Sequence, residues 1–290
     1  MRNTAILLVG CFCLAVAANA SELAAVPAQE LLETYARLRA IPPGTDTAVA
    51  ENVVLQRDAG TFRFNSGRFV FAAPVAGRVL AASFQGEGSF ELDPPSPADR
   101  RQISRFSGGP KLVDTFTEAV FFFTDDSFAA LSRQMKIQAA EGAASGGSYA
   151  AAQKRYAGSY NGWVDNRRKG NPAMRNLAAR ILSDMTDIGS KGFFLADFKA
   201  GRSGNLMFHV SWNRDSLLLP DYGKGDEVIL LHLNPGNYYE WWAGFHLASE
   251  YANTPHPDHG SSILHCERTR IDLQVSKDNR IAATAEMEYV

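Results

Sequence analysis

Closely spaced strand-type runs between residues 48 and 92 constrain the fold of this chain most strongly. The runs are rich in Val, Phe and other residues that favour strands, and they cover residues 53–55, 61–64, 68–71, 79–84 and 89–92. Gly, Pro, Asn and Asp, which favour tight turns, separate them. Strands so close in sequence pair antiparallel, because a parallel pair needs a crossover of about a dozen residues or more. The pattern predicts an antiparallel meander, with Asn65-Ser66-Gly67 and Gly86-Glu87-Gly88 among its turns.

Helical patterns replace the strand pattern in the middle of the chain. Ser96 offers an N-cap hydroxyl in front of Pro97, which predicts a helix that runs to about Phe106. A second helix is expected after Asn171-Pro172, where apolar residues recur at helical spacing. Strand-type runs then return at 193–196, 206–212 and 227–233. We therefore expect an α+β fold in which antiparallel β-meanders flank a helical middle.

The end of the sequence has the alternation of a β-hairpin with one apolar face. Ile271, Leu273 and Val275 alternate with polar residues, and residues 281–289 alternate in the same way after a polar turn at 277–280. An isolated two-stranded hairpin is marginally stable in water, so its apolar face should be covered. Either it packs on the preceding domain, or the chain is a fragment and the hairpin opens a further β-domain.

Residues 1–20 have the three parts of a secretory signal peptide. A short cationic start precedes an apolar run from Ala5 to Ala18, and Ala18-Asn19-Ala20 fits a signal peptidase site. The protein is therefore expected to be exported to the periplasm or the cell exterior. An alternative is a lipoprotein form, in which Cys11 at the end of Leu8-Val9-Gly10-Cys11 carries the lipid. In the mature chain Cys266 is the only cysteine, which excludes an internal disulfide.

The rest of the chain divides at a Pro- and Gly-containing stretch. We expect an α+β domain over residues 21–254, a linker over 255–263, and the hairpin over 264–290. Beyond the leader no apolar run approaches the length of a membrane span, so none is expected. The formal net charge is −2 and no basic run is present, which argues against a nucleic-acid partner.

The sequence lacks the common catalytic motifs. His-Glu-x-x-His, Gly-x-Ser-x-Gly and Walker-type loops are all missing. Metal-ligand residue types gather at one place only, namely His256, His259, His265 and Cys266. Their spacing matches no metallopeptidase pattern, so we interpret them as exposed linker residues. No catalytic residue and no metal ligand is assigned to this chain, and whether it is an enzyme stays open.

The densest aromatic stretch covers residues 237–251. It could form a surface that binds peptide, sugar or a partner domain through stacking and carboxylates, and its candidate binding residues are Trp241, Trp242, Glu240, His246 and Glu250. The alternative is a seam between domains, since large aromatics also fill the edges of cores. We favour the seam, because the stretch lies just before the linker.

Several sequence segments resemble the N-terminal extension of exported bacterial proteins related to aminopeptidase N, the zinc metallopeptidase family of alanyl aminopeptidases. These segments are Phe64-Asn65-Ser66-Gly67-Arg68-Phe69-Val70-Phe71, Ala82-Ser83-Phe84-Gln85-Gly86-Glu87-Gly88-Ser89-Phe90 and Phe245-His246-Leu247-Ala248-Ser249-Glu250-Tyr251. The stretch from Arg270 to Tyr289 is similar to the opening hairpin of the family's first β-domain.

The resemblance implies a non-catalytic N-terminal region of an aminopeptidase N-like protein, which shapes or shields the peptidase module. The family's His-Glu-x-x-His helix, its following Glu ligand and its Gly-x-Met-Glu-Asn motif do not occur here, so no catalytic residue can be transferred. Zinc is expected only in a downstream peptidase module, which would be the main partner, with peptides as further ligands. The alternative function is a free-standing periplasmic binding protein that uses the aromatic surface around 237–251.

Overall fold

A computed structural model describes residues 28–139, 177–213, 226–234, 239–251, 266–276 and 281–289. The predicted leader with Cys11, the linker at 255–263, and His256, His259 and His265 lie outside these residues. The helices are α1 (Ala28–Leu38), α2 (Pro97–Ser107), α3 (Ser127–Ser132), α4 (Leu177–Thr186) and α5 (Ala248–Tyr251). The strands are β1 (Pro43–Arg57), β2 (Gly60–Ala72), β3 (Ala81–Leu92), β4 (Leu112–Phe123), β5 (Gln138–Ala139), β6 (Phe193–Ala200), β7 (Gly204–Ser211), β8 (Val228–Leu233), β9 (Tyr239–Phe245), β10 (Cys266–Val275) and β11 (Ile281–Tyr289).

The main sheet has nine strands in the order β5-β1-β2-β3-β4-β6-β7-β8-β9, and its neighbours pair antiparallel. The predicted α+β class is confirmed, as is the separate β10–β11 hairpin. The strands before and after the helical middle belong to one sheet, because β4 pairs directly with β6, for example at Phe121 and Ala196.

Two of the predicted turns are wrong. Asn65-Ser66-Gly67 lies inside β2 and Gly86-Glu87-Gly88 lies inside β3, where Gly67 pairs with Gly86. The two glycines have φ angles of 156° and 153°. A Cβ atom on Gly86 would lie 2.2 Å from the carbonyl oxygen of Ser66. The glycines therefore allow a kink and a close approach within long strands, so the short predicted runs join into longer ones.

Helix α2 follows the predicted capping signals closely. Ser96 is its N-cap, and the Ser96 hydroxyl accepts a hydrogen bond of 3.2 Å from the backbone N–H of Asp99. The helix ends at Gly108, which has a left-handed φ of 74°. Both ends use local chemistry that does not depend on the rest of the fold, which is why the sequence predicts them correctly.

The main sheet curls strongly around a phenylalanine-rich face. The ring of Phe62 in β2 lies 6.1 Å from that of Phe208 in β7, measured between centroids. Three strands separate β2 from β7, so a flat sheet would hold them about 19 Å apart. The inside of the curl is filled by fully buried rings, which include Phe62, Phe64, Phe69, Phe71, Phe84, Phe90, Phe121 and Phe194.

The opposite face of the sheet is covered by α1 and α4. Leu38 from α1 and Ile181 from α4 pack in one buried cluster with Phe122, Phe193 and Leu195 of the sheet. Both faces of the central strands are therefore buried, which agrees with the uninterrupted apolar run at the end of β4. Within the described residues, no helix combines the length and the apolar character needed to cross a lipid bilayer.

Candidate functional site

The structure distributes the five predicted binding residues over three places. Trp241 packs against the cluster beneath α1 and α4, whereas Trp242 packs on the phenylalanine-rich side. Glu240 lies beside Trp242, and His246 and Glu250 lie together beyond the end of β9. The 237–251 stretch therefore does not form a single surface among its described residues.

The indole of Trp242 is enclosed on both sides. Phe106 of α2 stacks at 4.9 Å and His232 of β8 stacks at 4.7 Å, measured between ring centroids. The indole N–H donates to Glu240 Oε2 over 3.1 Å. A register shift between Leu230 and Leu231 leaves Trp242 without a Cα partner in β8. Because both ring faces are covered, Trp242 holds α2 against the sheet and leaves no open face for a stacked ligand.

A carboxylate–imidazole cluster forms where β8 begins and β9 ends. Glu227 directly precedes β8, His246 directly follows β9, and Glu250 lies in α5. Antiparallel pairing of Val228 with Phe245 brings the first two side by side. One ligand-type atom from each of the three residues lies within 4.8 Å of the other two. We name Glu227, His246 and Glu250 the edge cluster.

Glu227 is the residue of the edge cluster that the sequence interpretation missed. Glu227 begins the predicted strand-type run at 227–233 and lies outside the aromatic stretch, so the sequence gives it no binding role. The signal that would find it is strand register, since the first residues of β8 must lie opposite the last residues of β9 in an antiparallel pair. His246 and Glu250 were both among the predicted binding residues, and the structure brings these two together.

Glu227 is the most buried member of the edge cluster. Its side chain is 1% exposed, and its Oε2 lies 2.9 Å from Nδ1 of His246. Its Oε1 is also buried and accepts no hydrogen bond from any residue that the structure describes. Burying a carboxylate oxygen without a partner is costly, because the lost hydration is not replaced.

Further acidic groups surround the edge cluster. Asp58, in the β1–β2 turn, accepts hydrogen bonds from the backbone N–H of Ala248. Burial raises the pKa of Asp58, and the negative charges of Glu227 and Glu250 raise it further. Burial also raises the pKa of Tyr251 to about 12, with further contributions from carboxylates that include Asp99. This end of the sheet is therefore a negative environment, which favours cations over anions.

A second buried polar group lies beneath α4. Arg180 Nε lies 3.4 Å from Asp184 Oδ2, and the Thr124 hydroxyl donates to the same oxygen over 2.5 Å. His209 of β7 is 1% exposed, and burial lowers its pKa to about 3, with a further contribution from the charge of Arg180. This group links α4 to β4 and β7 and is best explained as part of the packing of that helix.

The two carboxylates and one imidazole of the edge cluster are the donor types that bind divalent metal ions in proteins. Comparisons with models of known protein families, with curated proteins and with solved structures found no match for this chain.

Proposed function

We propose that this chain is the non-catalytic N-terminal region of an exported aminopeptidase N-like metallopeptidase, and that it packs on the peptidase module through β10–β11. One observation carries the proposal. The side chains of Ile271, Leu273 and Val275, which alternate along β10, are 64%, 59% and 64% exposed. Apolar side chains grouped on one face and left in water at this level mark an interaction surface.

The hairpin has two chemically different faces. In the paired register, Ile271 lies opposite Ala285 and Leu273 opposite Ala283, which makes one face apolar. On the other face, Arg270 lies opposite Glu286. Opposite charges paired across a hairpin suit a face that stays in water. The apolar face alone therefore needs a partner, and a β-domain such as the one that the family resemblance implies would supply a matching surface.

The interior of the curled sheet supports a non-catalytic role. A substrate site inside a curled or barrel-like sheet needs space lined by a few polar groups. Here phenylalanine rings occupy the interior, and Phe62 alone has its ring centroid within 6.4 Å of seven other phenylalanine rings. The enclosed Trp242 gives less support to the alternative of a periplasmic binding protein that stacks its ligand on the aromatic stretch.

Photo-crosslinking in the cells that export the protein tests this proposal. A benzoylphenylalanine side chain is placed at position 273, on the apolar face, and in a second protein at the neighbouring position 272, on the charged face. Leu273 and Asp272 are both exposed, so neither replacement disturbs a core. Immunoblotting checks that both proteins reach the same level.

The proposal predicts an adduct from position 273, absent from position 272, whose peptides come from a metallopeptidase module. An adduct with residues 28–251 of the same chain, with a second copy of the hairpin or with another class of protein would contradict the proposal. Equal adducts from both positions, or none, would contradict it as well.

A further inference from the structure

We propose that Glu227, His246 and Glu250 bind a divalent transition-metal ion, with Zn²⁺ as the expected ion. The inference is independent of the proposed packing role, because the edge cluster shares no residue with β10–β11. It rests on the composition of the edge cluster, on its geometry and on the environment of one buried oxygen.

The buried oxygen is Glu227 Oε1. It has no hydrogen-bond partner among the described residues, although the Glu227 side chain is 1% exposed. In the part of the chain that the structure describes, His246 is the only ion-pair partner of Glu227. The Glu227 carboxylate is buried beside other metal-ligand atoms, and one of its oxygens has no partner. A bound cation would supply that partner and offset the cost of burying the charge.

The separations suit a small ion. With Zn–N and Zn–O bonds of about 2.1 Å and tetrahedral angles, two ligand atoms on one zinc ion lie about 3.4 Å apart. The Nδ1 of His246 and the Oε2 of Glu227 are 2.9 Å apart. All three ligand atoms lie within 4.8 Å of one another. These separations are close to the 3.4 Å that one zinc ion requires, and the ion would replace the Glu227–His246 contact.

The donor set selects the kind of ion. An imidazole nitrogen beside carboxylate oxygens suits zinc and its neighbours in the transition series. Ca²⁺ and Mg²⁺ prefer sites built from oxygen ligands alone, and Ca²⁺ takes six or more of them, at about 2.3–2.6 Å. Three protein ligands leave a fourth tetrahedral position, which water fills in many zinc sites. Asp58 interacts electrostatically with Glu227 and Glu250, so a further acidic group neighbours the site.

The ion would connect three parts of the chain. Glu227 directly precedes β8, His246 directly follows β9, and Glu250 lies in α5. In the same helix as Glu250, the backbone N–H of Ala248 donates a hydrogen bond to the carboxylate of Asp58 in the β1–β2 turn. A metal that binds only the folded arrangement stabilises it by mass action, so the melting temperature should rise with the free Zn²⁺ concentration.

Isothermal titration calorimetry with Zn²⁺ on the chelator-treated full chain tests the inference, together with Co²⁺ absorption as a report on coordination. We expect saturable binding, a rise in Tm, and Zn²⁺ affinity lower by at least about tenfold in Glu227→Gln and Glu250→Gln. Glu240→Gln is the matched control, because Glu240 lies 3.5 Å from His232 in a second Glu–His pair between β8 and β9. It should keep the wild-type affinity.

Circular dichroism shows whether each variant is folded. If Glu227→Gln does not fold, Glu250→Gln decides, since Glu250 is only partly buried. The inference is overturned if Zn²⁺ does not bind, if Glu250→Gln keeps the wild-type affinity, or if Glu240→Gln loses as much affinity. It is also overturned if His256→Ala and His259→Ala abolish binding while the edge-cluster variants retain it. Equal affinity for Ca²⁺ or Mg²⁺ would contradict the choice of ion.

Discussion

The carboxylate of Asp58 accepts a hydrogen bond from the backbone N–H of Ala248. Its Oδ1 and Oδ2 lie 3.1 and 3.0 Å from that nitrogen. The two residues are far apart in sequence, one in the β1–β2 turn and the other at the start of α5. Their contact therefore joins the beginning of the nine-stranded sheet to the segment that follows its last strand. The contact agrees with the curl of the sheet, which also brings Phe62 and Phe208 together.

Replacing Asp58 should weaken this connection. Asp58→Ala removes the acceptor for both Ala248 and Ala59, and it places alanine at a φ of 50°. We expect the free energy of unfolding to fall by about 1–3 kcal/mol. Asp58→Asn is the control, because asparagine tolerates positive φ and keeps one acceptor oxygen without the charge. Urea denaturation of the two variants should show a clearly larger loss for alanine, and equal losses would contradict the proposed role of the acceptor.

The kink at Gly86 gives a second prediction. In Gly86→Ala the new methyl group would meet Ser66 of β2 at 2.2 Å, and the φ of 153° is strained for alanine. We expect a loss of about 2–4 kcal/mol in the free energy of unfolding, or failure to fold. At Gly109, by contrast, a Cβ would have no heavy atom within 4 Å. Gly109→Ala should change stability by less than about 0.5 kcal/mol in the same denaturation experiment. Similar stability of the two variants would disprove the close approach.

Local signals in the sequence predicted local structure well. The helix capped by Ser96 ends at Ser107, one residue beyond the expected Phe106, and the alternation of Ile271, Leu273 and Val275 correctly predicted the final hairpin. Each depends on neighbours within a few residues. The turn expected at Gly86-Glu87-Gly88 was wrong, because glycine signals a turn and a kinked strand equally well. Only the pairing partner, Gly67, distinguishes the two.

The edge cluster could be predicted only in part. His246 and Glu250 lie close together in sequence and were singled out for their side-chain chemistry. Glu227 joins them only because β8 and β9 pair in one particular register, with Val228 opposite Phe245. A single sequence contains the strand pattern but does not fix that register. Trp241 and Trp242 fail as one surface for a different reason: the aromatic stretch contains a strand that the sequence analysis does not predict, and adjacent residues of a strand pack on opposite faces of the sheet.

His209 should make stability depend on pH. Burial lowers its pKa to about 3, so the folded protein keeps this imidazole neutral where the unfolded chain, with its ordinary pKa of 6.5, takes up a proton. The unfolded state binds more protons in this window, and stability therefore falls as the pH decreases from about 6.5 towards about 3. Between about pH 7 and about pH 5 the expected loss from this one group is about 2 kcal/mol.

The variant His209→Leu removes the titrating group and replaces it with an uncharged side chain. Between about pH 7 and about pH 5, the free energy of unfolding should fall less in this variant than in the wild-type protein. The difference between the two decreases should be about 2 kcal/mol, whatever the variant's stability at neutral pH. Urea denaturation at the two pH values gives both differences. Identical pH dependence in the two proteins would show that the pKa of His209 is the same in the folded and unfolded states, and would contradict this prediction.

We propose that this chain supplies a packed scaffold and a cation site and does not itself catalyse peptide hydrolysis. The most direct measurement is release of p-nitroaniline from alanine p-nitroanilide by the purified chain, with Zn²⁺ and with a chelator. We predict the same rate as buffer under both conditions, including at saturating Zn²⁺. Zinc-dependent hydrolysis that the chelator abolishes would contradict this expectation. If Glu227→Gln also removes that activity while Glu240→Gln retains it, the edge cluster is an active site.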